Sequence, residues 1–248
     1  MRIHAFHHLY QYRQSQSTRA FNARGSKIER CGYCQVATKH CLCAFQPDVD
    51  TNVAAMLIVS ENEVFKPSNT GRLIADVVKN TSVYQWNRTE PDAEMLAKLN
   101  DPNFYPVIIF PEDYVDDKAR LVSDDIALKT NSLQAGRTPL LIFIDGSWRE
   151  ARKIFRKSDY LSKLPVFSIK PESVSQYLMR KSDNEDHLST AEVASIVLSK
   201  VNEESAANVL EMWFETFRES YLLTKTRLKP DLTKPALKHF LTEVKFEK

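Results

Sequence analysis

Long hydrophobic runs, dispersed cysteines and a clear excess of one charge are all missing from this sequence of 248 residues. No apolar run approaches the roughly 20 residues of a membrane-spanning helix, so we expect no integral membrane protein. The first residues lack the apolar segment of a secretory signal, and we therefore expect a cytoplasmic location. Low-complexity tracts are also absent, and 43% hydrophobic residues with 13 Phe exclude a disordered chain.

The net charge of only +2 conceals blocks of opposite sign. Counting Lys and Arg against Asp and Glu gives +6 for residues 1–46, −7 for 47–136 and +6 for 137–181. The remaining blocks carry −7 over residues 182–217 and +4 over residues 218–248. This asymmetry is compatible with a polyanionic partner, but charge alone favours basic and acidic blocks that pair on an ordinary solvated surface.

All four cysteines fall within 13 residues, in the run CGYCQVATKHCLC. Two close thiolate pairs can complete a tetrahedral four-cysteine set around one zinc ion, and such a closed site is structural. Two disulfides or a C-x-x-C redox pair are the alternatives, and the expected reducing compartment favours zinc over disulfides. His40 could replace one thiolate. The predicted zinc ligands are Cys31, Cys34, Cys41 and Cys43.

Continuous apolar runs of strand length alternate with segments of helical spacing in the rest of the chain. The strand-like runs are residues 53–59, 106–110, 139–144 and 166–169, with a shorter one at 82–86. Helical spacing covers residues 72–79, 92–99, 113–129, 148–157, 191–201, 203–224 and 236–246. Strands that are apolar throughout are typical of a parallel sheet buried on both faces. The sequence therefore predicts an α/β fold with a doubly wound, mostly parallel sheet.

Three segments follow from these patterns. Residues 1–28 are polar and basic, and we expect a partly ordered arm or irregular lead-in. Residues 29–46 form the predicted zinc knuckle, which metal must hold together because the segment is too short for a core of its own. Residues 47–248 form one α/β domain that ends in helices.

The strand at residues 139–144 ends abruptly in Asp145-Gly146-Ser147-Trp148. Ligands of open α/β sheets bind at the carboxyl ends of the strands, and a carboxylate placed there can act as a general base or orient a substrate N–H. Gly146 permits a tight turn and close backbone approach, and Ser147 suits a helix N-cap. The alternative is a helix cap followed by a core tryptophan, without chemistry.

Basic side chains follow this turn on one side of the predicted helix 148–157. Arg149, Arg152 and Arg156 recur at helical spacing, and Trp148 begins the apolar stripe on the other side. A basic helix face is usually only solvated, but its place beside the predicted pocket makes it a candidate for phosphate contact.

Four stretches, taken together and in order, resemble the DTW-domain family. They are the four-cysteine run, Asn69-Thr70-Gly71-Arg72, LIFIDGSWREAR at residues 141–152, and SQYLMRKSDNEDHLSTAE at residues 175–192. The resemblance covers about residues 31–200. It implies a tRNA-uridine aminocarboxypropyltransferase of the SPOUT-like superfamily, with a Rossmann-like sheet that can be knotted in its C-terminal part.

The resemblance implies a specific reaction. The 3-amino-3-carboxypropyl group of S-adenosylmethionine, the co-substrate, moves to N3 of a uridine in tRNA, in bacterial members the variable-loop uridine, and methylthioadenosine leaves. Set against that chemistry, the candidate catalytic residues are Asp145, Ser147 and Trp148. Candidates for S-adenosylmethionine binding are Phe110, Pro111, Gly146, Ser147, Ser189 and Thr190. Candidates for RNA contact are Arg72, Arg149, Arg152, Arg156 and Arg180.

Several interpretations stay open beside this one. Asp145 could remove the N3 proton or only align the N3–H, and Trp148 could stack on a base or support the pocket from the core. Where the family tends to have His-Pro-x-Glu after the first strand, this chain has Ser60-Glu61-Asn62-Glu63. A SPOUT-type tRNA or rRNA methyltransferase and a non-catalytic zinc-containing RNA-binding module are the alternative functions. We expect a monomer without an obligate protein partner.

Overall fold

The computed structural model of the chain describes residues 1–18, 28–122, 136–169, 188–225 and 229–244. Its centre is a six-stranded sheet in the order β2-β1-β5-β3-β6-β4, in which every neighbouring pair is parallel. The strands are β1 Ala54–Val59, β2 Thr81–Gln85, β3 Phe104–Ile109, β4 Leu121–Val122, β5 Thr138–Asp145 and β6 Val166–Phe167.

Strand β1 shows why an uninterrupted apolar run predicts a central strand. All six of its residues are buried, and successive side chains enter opposite cores. Leu57 and Val59 join one hydrophobic core, whereas Met56 and Ile58 join the other. The predicted buried parallel sheet is confirmed.

Helices cover both faces of the sheet. They are α1 Ala5–Gln16, α2 Gly71–Val77, α3 Ala93–Leu99, α4 Trp148–Lys157, α5 Thr190–Lys200, α6 Glu204–Leu222 and α7 Pro235–Glu243. Buried side chains of α3 and α4 belong to one core, and those of α1, α2, α5, α6 and α7 belong to the other. The predicted α/β class with helices on both faces is therefore confirmed. Among the described residues, no helix has the length and apolarity needed to cross a membrane.

The strand order brings distant parts of the chain together at one edge of the sheet. Strand β5 is inserted between β1 and β3, so the last residue of β1, Val59, is paired with Asp145. The loops that follow β1, β5 and β3 consequently lie side by side at the carboxyl ends, where ligands of such sheets bind. The resemblance implies a possible knot in the C-terminal part of the sheet, and residues 170–187 of that part lie outside the described residues.

Two local predictions differ from the structure. The sequence predicts a helix over residues 113–129, but the described part forms 3₁₀ turns at Glu112–Tyr114 and Lys118–Arg120, followed by β4. Strand β4 exists because it pairs with β6, a long-range partner that local periodicity does not reveal. The expected irregular lead-in contains helix α1, which is held by tertiary contacts, since Phe6 is only 2% exposed.

The start of α1 is anchored by a buried cluster of polar groups. His4 Nε2 lies 3.0 Å from Asp76 Oδ1, and the His4 and His7 rings stack with centroids 3.7 Å apart. Asp76 also accepts hydrogen bonds from Gln46 (2.6 Å) and from Trp213 Nε1 of α6 (2.9 Å). Helix α1, helix α2 and helix α6 therefore meet at one carboxylate.

This cluster predicts acid sensitivity. Burial, and then the repulsion of His4, lower the pKa of His7 from 6.5 to about 4. As the pH falls, the unfolded chain therefore binds a proton at His7 at a higher pH than the folded chain does. The free energy of unfolding consequently falls as the pH drops from about 6.5 towards 4. We expect His7→Gln to flatten this part of the pH dependence of the melting temperature. His8→Gln, at an exposed neighbour, is the matched control, and equal slopes for both variants and the wild type would contradict the assignment.

Candidate functional site

The four cysteines converge as a metal site requires. Sγ of Cys31 lies 3.5 Å from that of Cys43, and Sγ of Cys34 lies 3.8 Å from that of Cys41. All four sulfur atoms lie within 4.8 Å of one another. Tetrahedral zinc with Zn–S bonds of about 2.3 Å separates its sulfur ligands by about 3.8 Å, so the set fits zinc. His40 is not part of the converging group.

The electrostatics of the cluster also favour a cation. Hydrogen bonds from Cys43 and from the backbone N–H groups of Leu42 and Val36 lower the pKa of the Cys34 thiol to about 5. The hydrogen bond with Cys34 and burial raise the pKa of Cys43. One thiolate is thus stabilised by the fold, while further thiolates beside it need a compensating positive charge.

The predicted zinc knuckle packs against the α/β domain. Val36 (0% exposed) and Leu42 (1% exposed) belong to the same hydrophobic core as α2 and α6. The Arg30 guanidinium lies 5.3 Å from the ring centroid of Tyr221 in α6. The conformation of the knuckle and the packing of this face of the sheet are therefore linked.

A buried carboxylate lies where β1 and β5 end. Asp145 has 0% of its surface exposed, and its two oxygens accept different hydrogen bonds. Oδ2 accepts from Asn69 Nδ2 at 2.5 Å, and Oδ1 accepts from Thr190 Oγ1 at 2.7 Å. Asn69 precedes α2 and Thr190 begins α5, so Asp145 joins the starts of two helices to the end of the central strand.

Glycine at position 71 is required by this arrangement. A Cβ on Gly71 would lie 2.6 Å from Asp145 Oδ2, a separation that no real Cβ tolerates. Helix α2 can therefore begin beside the carboxylate only without a side chain at its first residue. This contact explains why the segment Asn69-Thr70-Gly71 has glycine at its third position: the segment packs directly against Asp145.

A second buried carboxylate lies in the loop after β1. Glu63 is 0% exposed, and its Oε2 lies 2.6 Å from Lys66 Nζ. Asn69 Nδ2 also approaches Glu63 Oε1 at 3.2 Å, so this amide bridges the two buried carboxylates. Lys66 was missed by the sequence reasoning, although an acid and a base three residues apart after a buried strand are a detectable signal.

The turn after Asp145 begins helix α4 with the predicted N-cap Ser147, which forms a capping box with Glu150. Glu150 N is 3.4 Å from Ser147 Oγ, while Ser147 N and Oγ donate to Glu150 Oε2 at 2.9 and 2.5 Å. Burial raises the pKa of Glu150, but the Ser147 hydrogen bonds and the Lys66 charge outweigh burial and lower it. Ser189 caps α5 in the same manner.

Trp148 lies in an aromatic cluster on the face of the sheet that is covered by α3 and α4. Its ring stacks on Phe110 at 5.6 Å and meets Tyr114 edge-on at 5.1 Å. The Arg152 guanidinium lies 5.7 Å from the Trp148 ring and 5.8 Å from the Tyr114 ring. Phe110 is 5% exposed, whereas Trp148 packs against the core and remains partly exposed to solvent.

The candidate arginines differ in accessibility. Arg149 and Arg156 are exposed on α4, and Arg180 lies outside the described residues. Arg72 is only 2% exposed: its guanidinium lies 5.5 Å from the Phe6 ring, and Nη2 donates to the Lys66 carbonyl at 2.8 Å. In this structure Arg72 therefore supports the loop after β1 and is not open to a phosphate.

Phe110 and Pro111 lie where β3 ends, beside β5, as the predicted cofactor edge requires. The described residues also form a separate cavity of about 460 Å³. It lies at the opposite end of the strands, where residues 99–102, 105–106, 137 and 164–165 precede or begin β3, β5 and β6. Asp145 and Glu63 are not part of its lining.

Comparisons with known proteins identify the family of the chain. The model of the DTW domain family matches residues 28–222. A curated mouse protein, tRNA-uridine aminocarboxypropyltransferase 2, is 23% identical over 179 residues, which are 68% of this chain and 55% of that protein. The chain thus spans about half the length of that relative, and no solved structure matches. On the extent of the family match, the chain belongs to the DTW domain family.

Proposed function

We propose that this protein transfers the 3-amino-3-carboxypropyl group of S-adenosylmethionine to N3 of a uridine in tRNA. The observation that carries the proposal is the network around Asp145, in which Asn69, Gly71 and Thr190 meet one carboxylate. These residues come from three of the stretches that resemble the family, and they meet at the edge of the sheet where ligands bind. A shared site is the simplest reason for that convergence.

The transfer makes one bond and breaks another. Uridine N3 gives up its proton to solvent and forms a bond to the carbon of the aminocarboxypropyl arm next to sulfur, while the bond between that carbon and sulfur breaks and its electrons leave with methylthioadenosine. Three carbons on a sulfonium can react, so the protein must choose one by orientation. We assign Asp145 to this positioning, because it fixes the starts of α2 and α5 relative to the end of β5. A buried carboxylate that already accepts a hydrogen bond on each oxygen is better placed to hold the loops than to accept the N3 proton.

The charges at the site support a cationic donor. The loops after β1 and β5, with the first turns of α2 and α4, carry more acidic than basic groups. The acidic groups are Glu61, Glu63, Asp145 and Glu150, and the basic groups are Lys66, Arg72 and Arg149. Their formal charges sum to −1, which complements the net +1 of S-adenosylmethionine.

Exposed basic groups around this edge support an RNA acceptor. Arg149 and Arg156 project from α4, which starts at the site, and the zinc knuckle belongs to a block that carries +6. Phosphate contacts of this kind position an RNA, while the choice of base depends on the pocket itself. The variable-loop uridine is the acceptor that we propose.

Mass spectrometry of the RNA tests the proposal. Purified protein, S-adenosylmethionine and unmodified tRNA should yield one nuclease fragment heavier by an aminocarboxypropyl group, mapped to one uridine. Fragments heavier by only a methyl group would identify a methyltransferase instead. An unchanged RNA, together with salt-sensitive RNA binding, would point to a non-catalytic RNA-binding module.

A further inference from the structure

We propose that Lys66 and Glu150 form a subsite for an α-amino acid group, Lys66 for its carboxylate and Glu150 for its ammonium. This inference rests on the proposed function, since the amino acid group is then the end of the arm that is transferred. The two side chains come from the facing loops after β1 and β5, at the edge of the sheet that holds Asp145.

Lys66 is the fixed positive group of this subsite. Its backbone carbonyl accepts from Arg72 Nη2 at 2.8 Å and from the Asn69 amide at 2.9 Å. Glu63 holds the ammonium at 2.6 Å and is fully buried, whereas 34% of the Lys66 side chain is exposed. An ammonium has three donors, so this pairing leaves N–H groups for a ligand on the open side.

Glu150 is the matching negative group. One of its oxygens, Oε2, accepts both hydrogen bonds from Ser147. The pKa of its carboxyl is lowered by those bonds and by the Lys66 charge, so Glu150 is ionised at neutral pH and faces a cation already. A pair of opposite charges on two loops is complementary to a zwitterion.

Ser60 lies beside Glu150 in the same pocket. Its side chain is buried (3% exposed), and its hydroxyl helps to lower the pKa of the Glu150 carboxyl, yet within the described part of the chain it has no hydrogen-bond partner within 3.5 Å. A Cβ on Gly146 would lie 3.0 Å from Ser60 Oγ and 3.3 Å from Glu150 Cβ, so Gly146 lets these two side chains approach each other. Buried hydroxyls normally have a partner, and an amino or carboxylate group between the loops would supply one.

The ligand itself offers a clean test. Wild-type protein is titrated by calorimetry with S-adenosylmethionine and with decarboxylated S-adenosylmethionine, which lacks only the carboxylate. Because loss of a charge-assisted hydrogen bond is costly, the decarboxylated ligand should bind with a Kd about tenfold higher or more than S-adenosylmethionine. Lys66→Met should weaken S-adenosylmethionine by a similar factor and leave the decarboxylated ligand unchanged, whereas Lys66→Arg should retain part of the preference.

Glu150→Gln keeps an oxygen for the helix cap and removes the charge. It should weaken both ligands equally, because both have the ammonium, and should not affect methylthioadenosine, which has neither group. Lys157→Met, an exposed substitution at the end of α4, is the matched control. Because Lys66→Met leaves Glu63 buried without its partner, the double variant Glu63→Gln/Lys66→Met is measured beside it.

The outcomes separate the two proposals. Wild-type binding of both ligands with equal affinity, or equal weakening of both by Lys66→Met, would overturn the subsite and leave the proposed function standing. Failure of the wild-type protein to bind S-adenosylmethionine at all would overturn both. A tenfold preference that disappears in Lys66→Met establishes the subsite.

Discussion

Asp145→Asn is expected to lower the rate of aminocarboxypropyl transfer by about 100-fold or more while leaving tRNA binding unchanged. The native carboxylate accepts a hydrogen bond on each oxygen, from Asn69 and from Thr190. An asparagine side chain has one acceptor oxygen, and its NH2 group must face one of those two donors. The start of α2 or of α5 then loses its connection to the end of β5, and the reacting groups lose their alignment.

Single-turnover transfer and RNA-binding titrations measure the two effects separately. Thr190→Val removes only one donor, so we expect a smaller loss, of about tenfold. The dependence of the transfer rate on pH distinguishes a positioning role from a general base. If Asp145 only positions the loops, Asp145→Asn should lower the rate at every pH without changing the shape of the pH profile. A variant with near wild-type transfer would contradict the central place given to Asp145. If Asp145→Asn lowers the melting temperature so far that little folded protein remains, the transfer rate of Thr190→Val is compared with that of the wild type instead.

Cys34→Ser is expected to abolish stoichiometric zinc binding and to destabilise the whole domain. Structural zinc contributes on the order of 10 kcal/mol in small metal-dependent units, and the knuckle is too short to fold without it. Its collapse also exposes Val36 and Leu42, which are buried in the common core, at about 1.5–3 kcal/mol each. Since about 1 kcal/mol shifts the melting temperature of a chain of this size by about 2–4 °C, a loss of about 10 °C or more should follow.

Elemental analysis of protein purified without chelator, together with thermal melting, measures this prediction. His40→Gln is the control within the same segment, because His40 lies among the cysteines in sequence but outside their cluster. It should retain one zinc per chain and nearly the wild-type melting temperature. Wild-type protein without zinc, or Cys34→Ser with full zinc content and an unchanged melting temperature, would contradict the four-cysteine site.

The secondary structure that sequence predicted best is the part governed by burial alone. Strand β1 and helix α4 have periodicities that the two cores enforce, and helix α4 has the predicted bounds, Trp148–Lys157. Helix α1 gave no such signal, because its hold on the core depends mainly on one fully buried side chain, Phe6, and on the contact of its N-cap His4 with Asp76, rather than on a long apolar stripe. Strand β4 is defined by its pairing with β6 and is only two residues long.

The candidate site was predictable in its position but not in its connections. The end of β5 and the cysteine spacing could be identified locally, because a strand that stops at Asp145 and four clustered thiols are visible in sequence. The bond from Asn69 to Asp145 spans 76 positions along the chain, and it depends on β5 entering the sheet beside β1. The burial of Arg72 depends in turn on α1, which sequence did not predict.

The measurement that tests the account most directly is transfer of label from two forms of S-adenosylmethionine to unmodified tRNA. One form carries radiocarbon in the carboxyl group of the amino acid arm, and the other carries it in the methyl group. The account predicts that carboxyl label enters the RNA while methyl label stays in methylthioadenosine. Methyl label in the RNA, with carboxyl label left in the small-molecule fraction, would contradict it.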